Sequence, residues 1–300
     1  MKIEQIGVVG AGIMGTGIAQ IAAVSGYSVA VWDMAPEAQS AARATIEKNL
    51  RGMAETGALT EPESAAALSR INFTDGIQGV CEGADLIIEA VFEELTLKHE
   101  LFRELEKQAG PDTILASNTS ALPITEIAGA VTCGDRVIGL HFMNPATTMR
   151  GVEIIRGQRT SDCTFETAVA FVKALGKTPI FAVDNAGFIV SRLVNVLMNE
   201  AVRMVGEGNR PEDIDTAMKL CAGHPMGPCQ LVDLIGTEIV VHGMETMARD
   251  LGEAYSPHPL LKQQAAAGPV SYTHLRAHET KEEIAYAVFC VKMGGGGGGG

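Results

Sequence analysis

The sequence contains no apolar run long enough to cross a membrane and no concentration of basic residues. A transmembrane helix needs about 20 predominantly apolar residues in succession, and no run here approaches that length. The formal net charge of the 300 residues is −13, so nucleic-acid binding would require a local basic stripe, and none is present. We therefore expect neither a membrane nor a nucleic acid as a partner.

Cysteine is scattered, and it forms neither a disulfide framework nor a metal-binding pattern. The six cysteines include no CxxC pair and show no regular spacing. This usage predicts reduced thiols in a cytoplasmic protein, with no zinc or other metal site. The glycine-rich N-terminal stretch lacks a cleavage-like region, so we interpret it as a strand and turn and not as a signal peptide.

Short β-branched runs alternate with helical segments over residues 1–184. This alternation predicts an α/β domain with a Rossmann-like, doubly wound and mostly parallel sheet. The eight predicted strands are KIEQIGVVG, YSVAVWD, INFT, ADLIIEAV, TILAS, RVIGLHF, GVEII and KTPIFAV.

Helical periodicity without a convincing strand follows over residues 185–268, which predicts a smaller all-α domain for substrate binding and dimerisation. The long apolar helix in FIVSRLVNVLMNEAVRMVGEG is of the kind that packs against another helix or subunit, so we expect a homodimer. Residues 269–300 have no clear relation to what precedes them and end in seven glycines. We interpret them as a foreign or disordered tail.

A G-x-G-x-x-G pattern lies at the turn from the first predicted strand to the first predicted helix. Gly10 permits the tight turn, Gly12 lets the backbone approach a pyrophosphate, and Gly15 lets the helix pack closely on the sheet. Ile13 and Met14 lie between the last two glycines, at a helix N-terminus that faces the anion. The pattern predicts a dinucleotide site, and the alternative is a glycine-rich turn that binds nothing.

Asp33 ends the second predicted strand, eighteen residues after Gly15 (33 − 15). A carboxylate at this position binds the ribose hydroxyls of a dinucleotide, and its charge repels a 2′-phosphate. No arginine follows closely. The expected cofactor is therefore NAD and not NADP.

Four further stretches accompany the glycine pattern: EAVFEELTLKHELF, ASNTSALPITEIA, GLHFMNPATTMRGVEII and GHPMGPCQLVDLIG. Together they resemble the 3-hydroxyacyl-CoA dehydrogenase family in its short bacterial form, from about residue 2 to about residue 268. The resemblance implies NAD-dependent interconversion of an (S)-3-hydroxyacyl-CoA, such as 3-hydroxybutyryl-CoA, and the 3-oxoacyl-CoA by hydride transfer. The family pattern ends in a glycine- and lysine-rich stretch that this chain lacks, so we expect the natural C-terminus to be missing.

His141 and Glu153 match the family's catalytic pair. They lie on two predicted strands that flank a short loop, so neighbouring strand ends could bring them together. An imidazole can take the proton of a hydroxyl, and a carboxylate on its other nitrogen fixes the tautomer and stabilises the imidazolium. The alternative is a buried histidine bonded to a backbone carbonyl.

The resemblance also assigns roles around this pair. Ser120 would hydrogen-bond the 3-oxygen of the substrate, although a helix cap is an alternative role. Asn118 and Asn144 would line the nicotinamide site. Glu93 and Lys98 would lie near the nicotinamide and its ribose, and the alternative is a solvated charge pair at the start of a helix.

Three residues are candidates for contacts to the acyl-CoA. Lys48 and Arg51 lie three residues apart on one face of the helix after the second strand, and we expect them to contact CoA phosphates unless they form a plain solvated face. Ser191 replaces the asparagine of the family's GFIVNR motif, which contacts the substrate near the thioester. Because serine is shorter, we expect a weaker or water-bridged contact.

Two rival functions remain open from the residues alone. One is a related dehydrogenase of a non-CoA 3-hydroxy substrate, such as a sugar acid or carnitine. The other is a protein that binds NAD without turnover. The residues also do not choose among fatty-acid β-oxidation, butyrate metabolism and aromatic degradation, all of which use this chemistry.

Overall fold

The computed structural model describes residues 2–267. Contacts between residues divide the chain into two units, one ending at Ile189 and one beginning at Val190. The predicted division at residues 184/185 stays a prediction. The predicted tail, residues 269–300, lies outside the described residues. No helix within the described range is both long and apolar enough to span a membrane.

An eight-stranded sheet forms the centre of the first unit. Its strands are β1 (Gln5–Val9), β2 (Ser28–Trp32), β3 (Ile71–Phe73), β4 (Leu86–Glu89), β5 (Ile114–Ser117), β6 (Val137–Phe142), β7 (Gly151–Ile155) and β8 (Thr178–Ala182). The spatial order is β3-β2-β1-β4-β5-β6-β7-β8, and every neighbouring pair is parallel except β6 with β7. The predicted doubly wound, mostly parallel α/β fold is therefore confirmed.

The central strands are buried on both faces, which is why their sequences are continuously apolar. Along β1, Val8 belongs to one apolar cluster and Val9 to the other. Ile88 and Ile87 of β4 divide between the same two clusters. Since successive side chains of a strand point to opposite faces, a strand covered on both sides has no polar face.

Seven helices cover the sheet within the described part of the first unit. They are α1 (Ile13–Val24), α2 (Pro36–Glu55), α3 (Glu61–Ser69), α4 (Ile77–Cys81), α5 (Leu95–Gln108), α6 (Ile124–Ala128) and α7 (Asp162–Ala174). A capping box begins α3: Thr60 Oγ1 accepts from Glu63 N, and Thr60 N donates to Oε2 of Glu63 at 2.8 Å. The sequence reasoning missed α4, whose five residues are too few to show a helical period.

The described part of the second unit, residues 190–267, contains helices and no strand, as predicted. Its helices are α8 (Val190–Gly206), α9 (Pro211–Cys221), α10 (Pro228–Ile235), α11 (Thr237–Leu251) and α12 (Pro259–Ala267). The buried Asp215 of α9 accepts from the backbone N–H groups of Cys229 (2.8 Å) and Gln230 (3.1 Å), which fixes the first turn of α10. Burial raises the pKa of Asp215 despite these two donors.

Candidate active site

The glycine turn between β1 and α1 is tightly packed at its ends and open in its middle. Gly10 has a φ of +101°, and a Cβ there would lie 2.5 Å from the carbonyl oxygen of Ala90. A Cβ on Gly15 would collide with the carbonyl oxygen of Gly10. A Cβ on Gly12 would meet no protein atom within 4 Å. Gly12 is also the N-cap of α1 and has no side chain to satisfy the first amides. The turn thus fits the pyrophosphate of a dinucleotide, with Ile13 and Met14 in the first turn of α1.

Asp33 directly follows β2 and binds the same turn. Its Oδ2 accepts from the backbone N–H of Ala11 at 2.6 Å, and its Oδ1 accepts from that of Ala35 at 2.9 Å. Gly10 N donates to the carbonyl oxygen of Trp32 at 2.8 Å. The carboxylate predicted to bind the ribose therefore lies beside the glycine turn.

His141 and Glu153 are direct partners in the antiparallel pairing of β6 and β7. Nδ1 of His141 lies 2.7 Å from Oε2 of Glu153, and both side chains are buried. Because a carboxylate can only accept, Nδ1 carries the proton and Nε2 is the basic nitrogen. The structure thus brings the two predicted residues together, and Nδ1 of His141 bonds to a carboxylate and not to a backbone carbonyl.

Lys98 forms a buried ionic cluster with two glutamates and is not part of a solvated charge pair. Its Nζ lies 2.5 Å from Oε1 of Glu89 and 3.2 Å from Oε2 of Glu93. Burial lowers the pKa of Lys98, but the two carboxylates outweigh burial and leave this pKa raised. The pKa of Glu93 is raised by burial, but the Lys98 ammonium and nearby hydroxyl and amide donors outweigh that effect and lower it. We call Glu89, Glu93 and Lys98 the charge cluster.

The charge cluster holds the loop that follows β5. Oε1 of Glu93 accepts from Thr119 Oγ1 (2.5 Å), Ser120 N (2.8 Å) and Ala121 N (3.0 Å). Ser120 Oγ lies 3.4 Å from the same oxygen, and the N-cap of α6 is Pro123, so Ser120 is not a helix cap.

Sequence reasoning missed three members of this network: Glu89, Ser117 and Thr119. Ser117 Oγ donates to Oε2 of Glu89 at 2.6 Å. One sequence feature could have revealed the network: Glu89 ends the otherwise apolar β4 strand. A glutamate in a buried strand usually has a partner, because unpaired charges are rarely buried.

Asn118 connects the ends of β5 and β6. Its Oδ1 accepts from the backbone N–H of Phe142, the residue after His141, at 2.9 Å. Asn144 is exposed just beyond β6 and precedes a cis peptide bond to Pro145. The two asparagines predicted to line the nicotinamide site thus lie on the carboxyl ends of adjacent parallel strands, the usual ligand side of an open α/β sheet.

The candidate substrate residues lie on two helices. Lys48 and Arg51 are exposed on α2, and Ser191 is half-buried in the first turn of α8, in the second unit. Within residues 2–267, no group of three or more His, Cys, Asp or Glu side chains is arranged to hold a metal ion.

A doubly wound sheet, a glycine turn open over Gly12 and an aspartate after β2 define a dinucleotide-dependent dehydrogenase domain. The NAD-binding domain of 3-hydroxyacyl-CoA dehydrogenase matches residues 5–185, and the C-terminal domain of the same enzyme matches residues 187–275. The chain therefore belongs to the 3-hydroxyacyl-CoA dehydrogenase family, as the sequence motifs predicted. Its cofactor is NAD, and it is an oxidoreductase.

Similar proteins agree over most of the chain. A Bacillus subtilis protein described as "Probable 3-hydroxybutyryl-CoA dehydrogenase" is 44% identical over 89% of this chain and 94% of its own. The 3-hydroxybutyryl-CoA dehydrogenase of Bradyrhizobium diazoefficiens is 40% identical over 89% of this chain and 91% of its own. The crystal structure of (S)-3-hydroxybutyryl-CoA dehydrogenase from Ralstonia eutropha superposes with a TM-score of 0.84 at 39% identity, covering 89% of this chain and 95% of that one.

Proposed function

We propose that this chain interconverts (S)-3-hydroxybutyryl-CoA and acetoacetyl-CoA, with His141 and Glu153 as its acid/base pair. The observation that carries the proposal is the 2.7 Å contact between His141 Nδ1 and Glu153 Oε2 on adjacent strands. The names of three similar proteins support the four-carbon acyl-CoA substrate. Bound NAD supplies a nicotinamide ring that accepts or returns a hydride.

The protein's own part is proton transfer at His141. In oxidation Nε2 takes the proton of the 3-hydroxyl, and in reduction it returns that proton to the 3-oxygen. Glu153 keeps the proton on Nδ1 and stabilises the imidazolium that forms. Because Glu153 is fully buried, its charge is weakly screened and acts strongly on the adjacent ring.

The residues after β5 and β6 position the reactants. The hydroxyl of Ser120 donates a hydrogen bond to the 3-oxygen, while the backbone N–H of Ser120 donates to Oε1 of Glu93. Asn118 and Asn144, at the ends of neighbouring strands, line the nicotinamide site with Glu93 and Lys98. Burial of Lys98 within the charge cluster supports this role, because a fixed charge needs no reorganisation during reaction.

Contacts to the rest of the substrate come from α2 and α8. Lys48 and Arg51 are exposed cations in a protein of net charge −13, and they bind phosphates of CoA. Ser191 contacts the substrate near the thioester and helps Ser120 and Asn144 to orient it.

The wider setting follows from the same proposal. The reaction serves β-oxidation or butyrate metabolism in the cytoplasm. The five cysteines within residues 2–267 are free thiols, in keeping with a reducing compartment. Burial raises the pKa of the Cys229 thiol to about 12, which makes it a poor nucleophile. A homodimer forms through the second unit, whose exposed apolar side chains include Leu193 and Ile239.

The test mixes acetoacetyl-CoA with NADH and follows nicotinamide absorbance. We expect NADH to be consumed with the CoA ester and far more slowly with free acetoacetate. His141→Gln should abolish turnover. His99→Gln should not, because Nε2 of His99 lies 2.8 Å from the backbone carbonyl oxygen of Glu126, and His99 has no role in the proposed mechanism. Absence of NADH loss with the CoA ester would refute the proposal, and equal rates with free acetoacetate would favour the non-CoA rival.

A further inference from the structure

Phe188 adopts a backbone conformation that bulky residues avoid. Its φ is +47°, and it is the one non-glycine residue with positive φ within residues 2–267. It follows Gly187, whose φ is +75°. A large side chain in the left-handed region is a true outlier, which persists only where the surroundings impose it. Such outliers cluster at functional sites.

Hydrogen bonds from three successive backbone N–H groups hold this conformation. Gly187 N donates to the carbonyl oxygen of Ala121 at 3.2 Å, and Phe188 N donates to that of Asn185 at 3.0 Å. Ile189 N donates to Oε1 of Glu153 at 3.0 Å. The segment 187–189 is therefore tied at one end to the residue after Ser120 and at the other to the carboxylate beside His141.

The Phe188 ring faces the imidazole. The two ring centroids lie 5.9 Å apart with an interplanar angle of 54°, and Phe188 is 5% exposed. Phe188 also belongs to the apolar cluster that contains Leu122 and Ile155. The ring is thus seated between the core and the imidazole of His141.

We propose that Phe188 is a positioning residue for the His141–Glu153 pair. Its ring limits the rotation of the imidazole, and the strained turn that carries it delivers the Ile189 amide to Glu153 Oε1. With Oε1 engaged, Oε2 stays on Nδ1 of His141. A purely structural phenylalanine would need no strained backbone beside the reacting group. The inference rests on the proposed acid/base role of His141.

The test replaces the ring and keeps an apolar side chain. Phe188→Leu and Phe188→Met should each lower kcat by about 10- to 100-fold, because small misplacement of a catalytic group is costly. KM for acetoacetyl-CoA and the Kd of NADH should change by less than about threefold. Phe188→Tyr, which keeps the ring, should recover most of kcat. The matched control is Phe171→Leu, since Phe171 is also buried but packs on the Tyr27 ring and belongs to the other apolar cluster.

A second readout needs no turnover. The His141 Nδ1 proton, bonded to a buried carboxylate, should give a protected downfield proton resonance that His141→Gln removes. Phe188→Leu should broaden or remove this resonance, and Phe171→Leu should preserve it. An unchanged resonance with unchanged kcat in both Phe188 variants would overturn the inference. If Phe171→Leu lost kcat and the resonance to the same extent, Phe188 would act only as part of the apolar core, and the inference would be wrong. Full activity of His141→Gln would instead refute the proposed function.

Discussion

The proposed acid/base pair of the first unit consists of two buried residues. Glu153 has no solvent exposure, and its two oxygens have separate partners, His141 Nδ1 and Ile189 N. A buried carboxylate is retained in a fold only when such partners satisfy it. Here one of the partners is the imidazole that the proposed mechanism needs to orient.

Glu153→Gln keeps the shape of this side chain and removes its charge. We expect kcat to fall by about 100-fold or more, because the amide no longer stabilises the imidazolium or holds one tautomer. KM should change little. Steady-state NADH oxidation measures both constants. Glu106→Gln is the control, because Glu106 also accepts backbone amides, from Thr132 and Cys133, but does so outside the site. A full-rate Glu153→Gln enzyme would contradict the proposed role.

Lys98→Met should show how strongly the charge cluster stabilises the fold. Removing the ammonium leaves the buried Glu89 and the half-buried Glu93 without their counter-ion, which costs about 3–5 kcal/mol of unfolding free energy. Urea denaturation measures this loss. Lys107→Met removes an exposed pair with Glu104 and should cost no more than about 1 kcal/mol. Similar losses of unfolding free energy for the two variants would show that the charge cluster stabilises the fold no more than an exposed ion pair does.

The Lys98→Met loss should also depend on pH in a defined direction. The lowered pKa of Glu93 means that its stabilisation is present above its ordinary value of 4.5 and disappears as pH falls through the folded pKa. The raised pKa of Lys98 means that its stabilisation is present below 10.5 and disappears as pH rises through the folded pKa. The difference between wild type and variant should therefore be flat near neutrality and shrink in acid.

Ser191→Asn tests the departure from the family motif. Asparagine offers a longer side chain with an amide donor and a carbonyl acceptor. One added hydrogen bond to the substrate should lower KM for acetoacetyl-CoA by roughly two- to tenfold, while KM for NADH stays constant as an internal control. If neither kcat nor KM changes, Ser191 does not contact the substrate.

At the scale of elements, local pairing was predictable and distant pairing was not. His141 and Glu153 face each other across β6 and β7, and the short loop between these strands is what let the sequence predict that the two residues could meet. Glu89 and Ser117 also face each other, in the parallel register of β4 and β5. The helix α5 separates β4 from β5 in the sequence. The register of the two strands therefore depends on long-range packing, and no local sequence pattern encodes it.

A substitution in the turn between β1 and α1 can affect NADH binding without affecting folding. Gly12 has φ −70°, and a Cβ there would meet no protein atom. Gly12→Ala should therefore fold normally but raise the Kd of NADH by about tenfold or more, since the methyl group occupies the space left for the pyrophosphate. Fluorescence titration and thermal unfolding measure the two effects.

Gly15→Ala is the contrasting variant, because its Cβ would collide with the carbonyl oxygen of Gly10. It should lose stability as well as NADH affinity. Normal NADH affinity in Gly12→Ala would place the pyrophosphate elsewhere.

At the scale of the whole molecule, the described part of the second unit carries large apolar side chains that are exposed to solvent. Leu193 is 66% exposed and Ile239 is 64% exposed. Large apolar side chains in contact with water favour association. The homodimer stays a prediction from the apolar α8 sequence, and these exposed side chains give it a surface on which it can be tested.

Sedimentation equilibrium should therefore give a mass of about twice the 31.5 kDa chain. The double variant Leu193→Lys, Val196→Lys should shift the protein to the monomer, because two charges on α8 would have to be desolvated in the interface. Phe181→Lys is the matched control: Phe181 is 61% exposed but lies on β8 in the first unit, and it should leave the dimer intact. A monomeric wild type at micromolar concentration would refute the homodimer, and dissociation by Phe181→Lys alone would move the interface to the first unit.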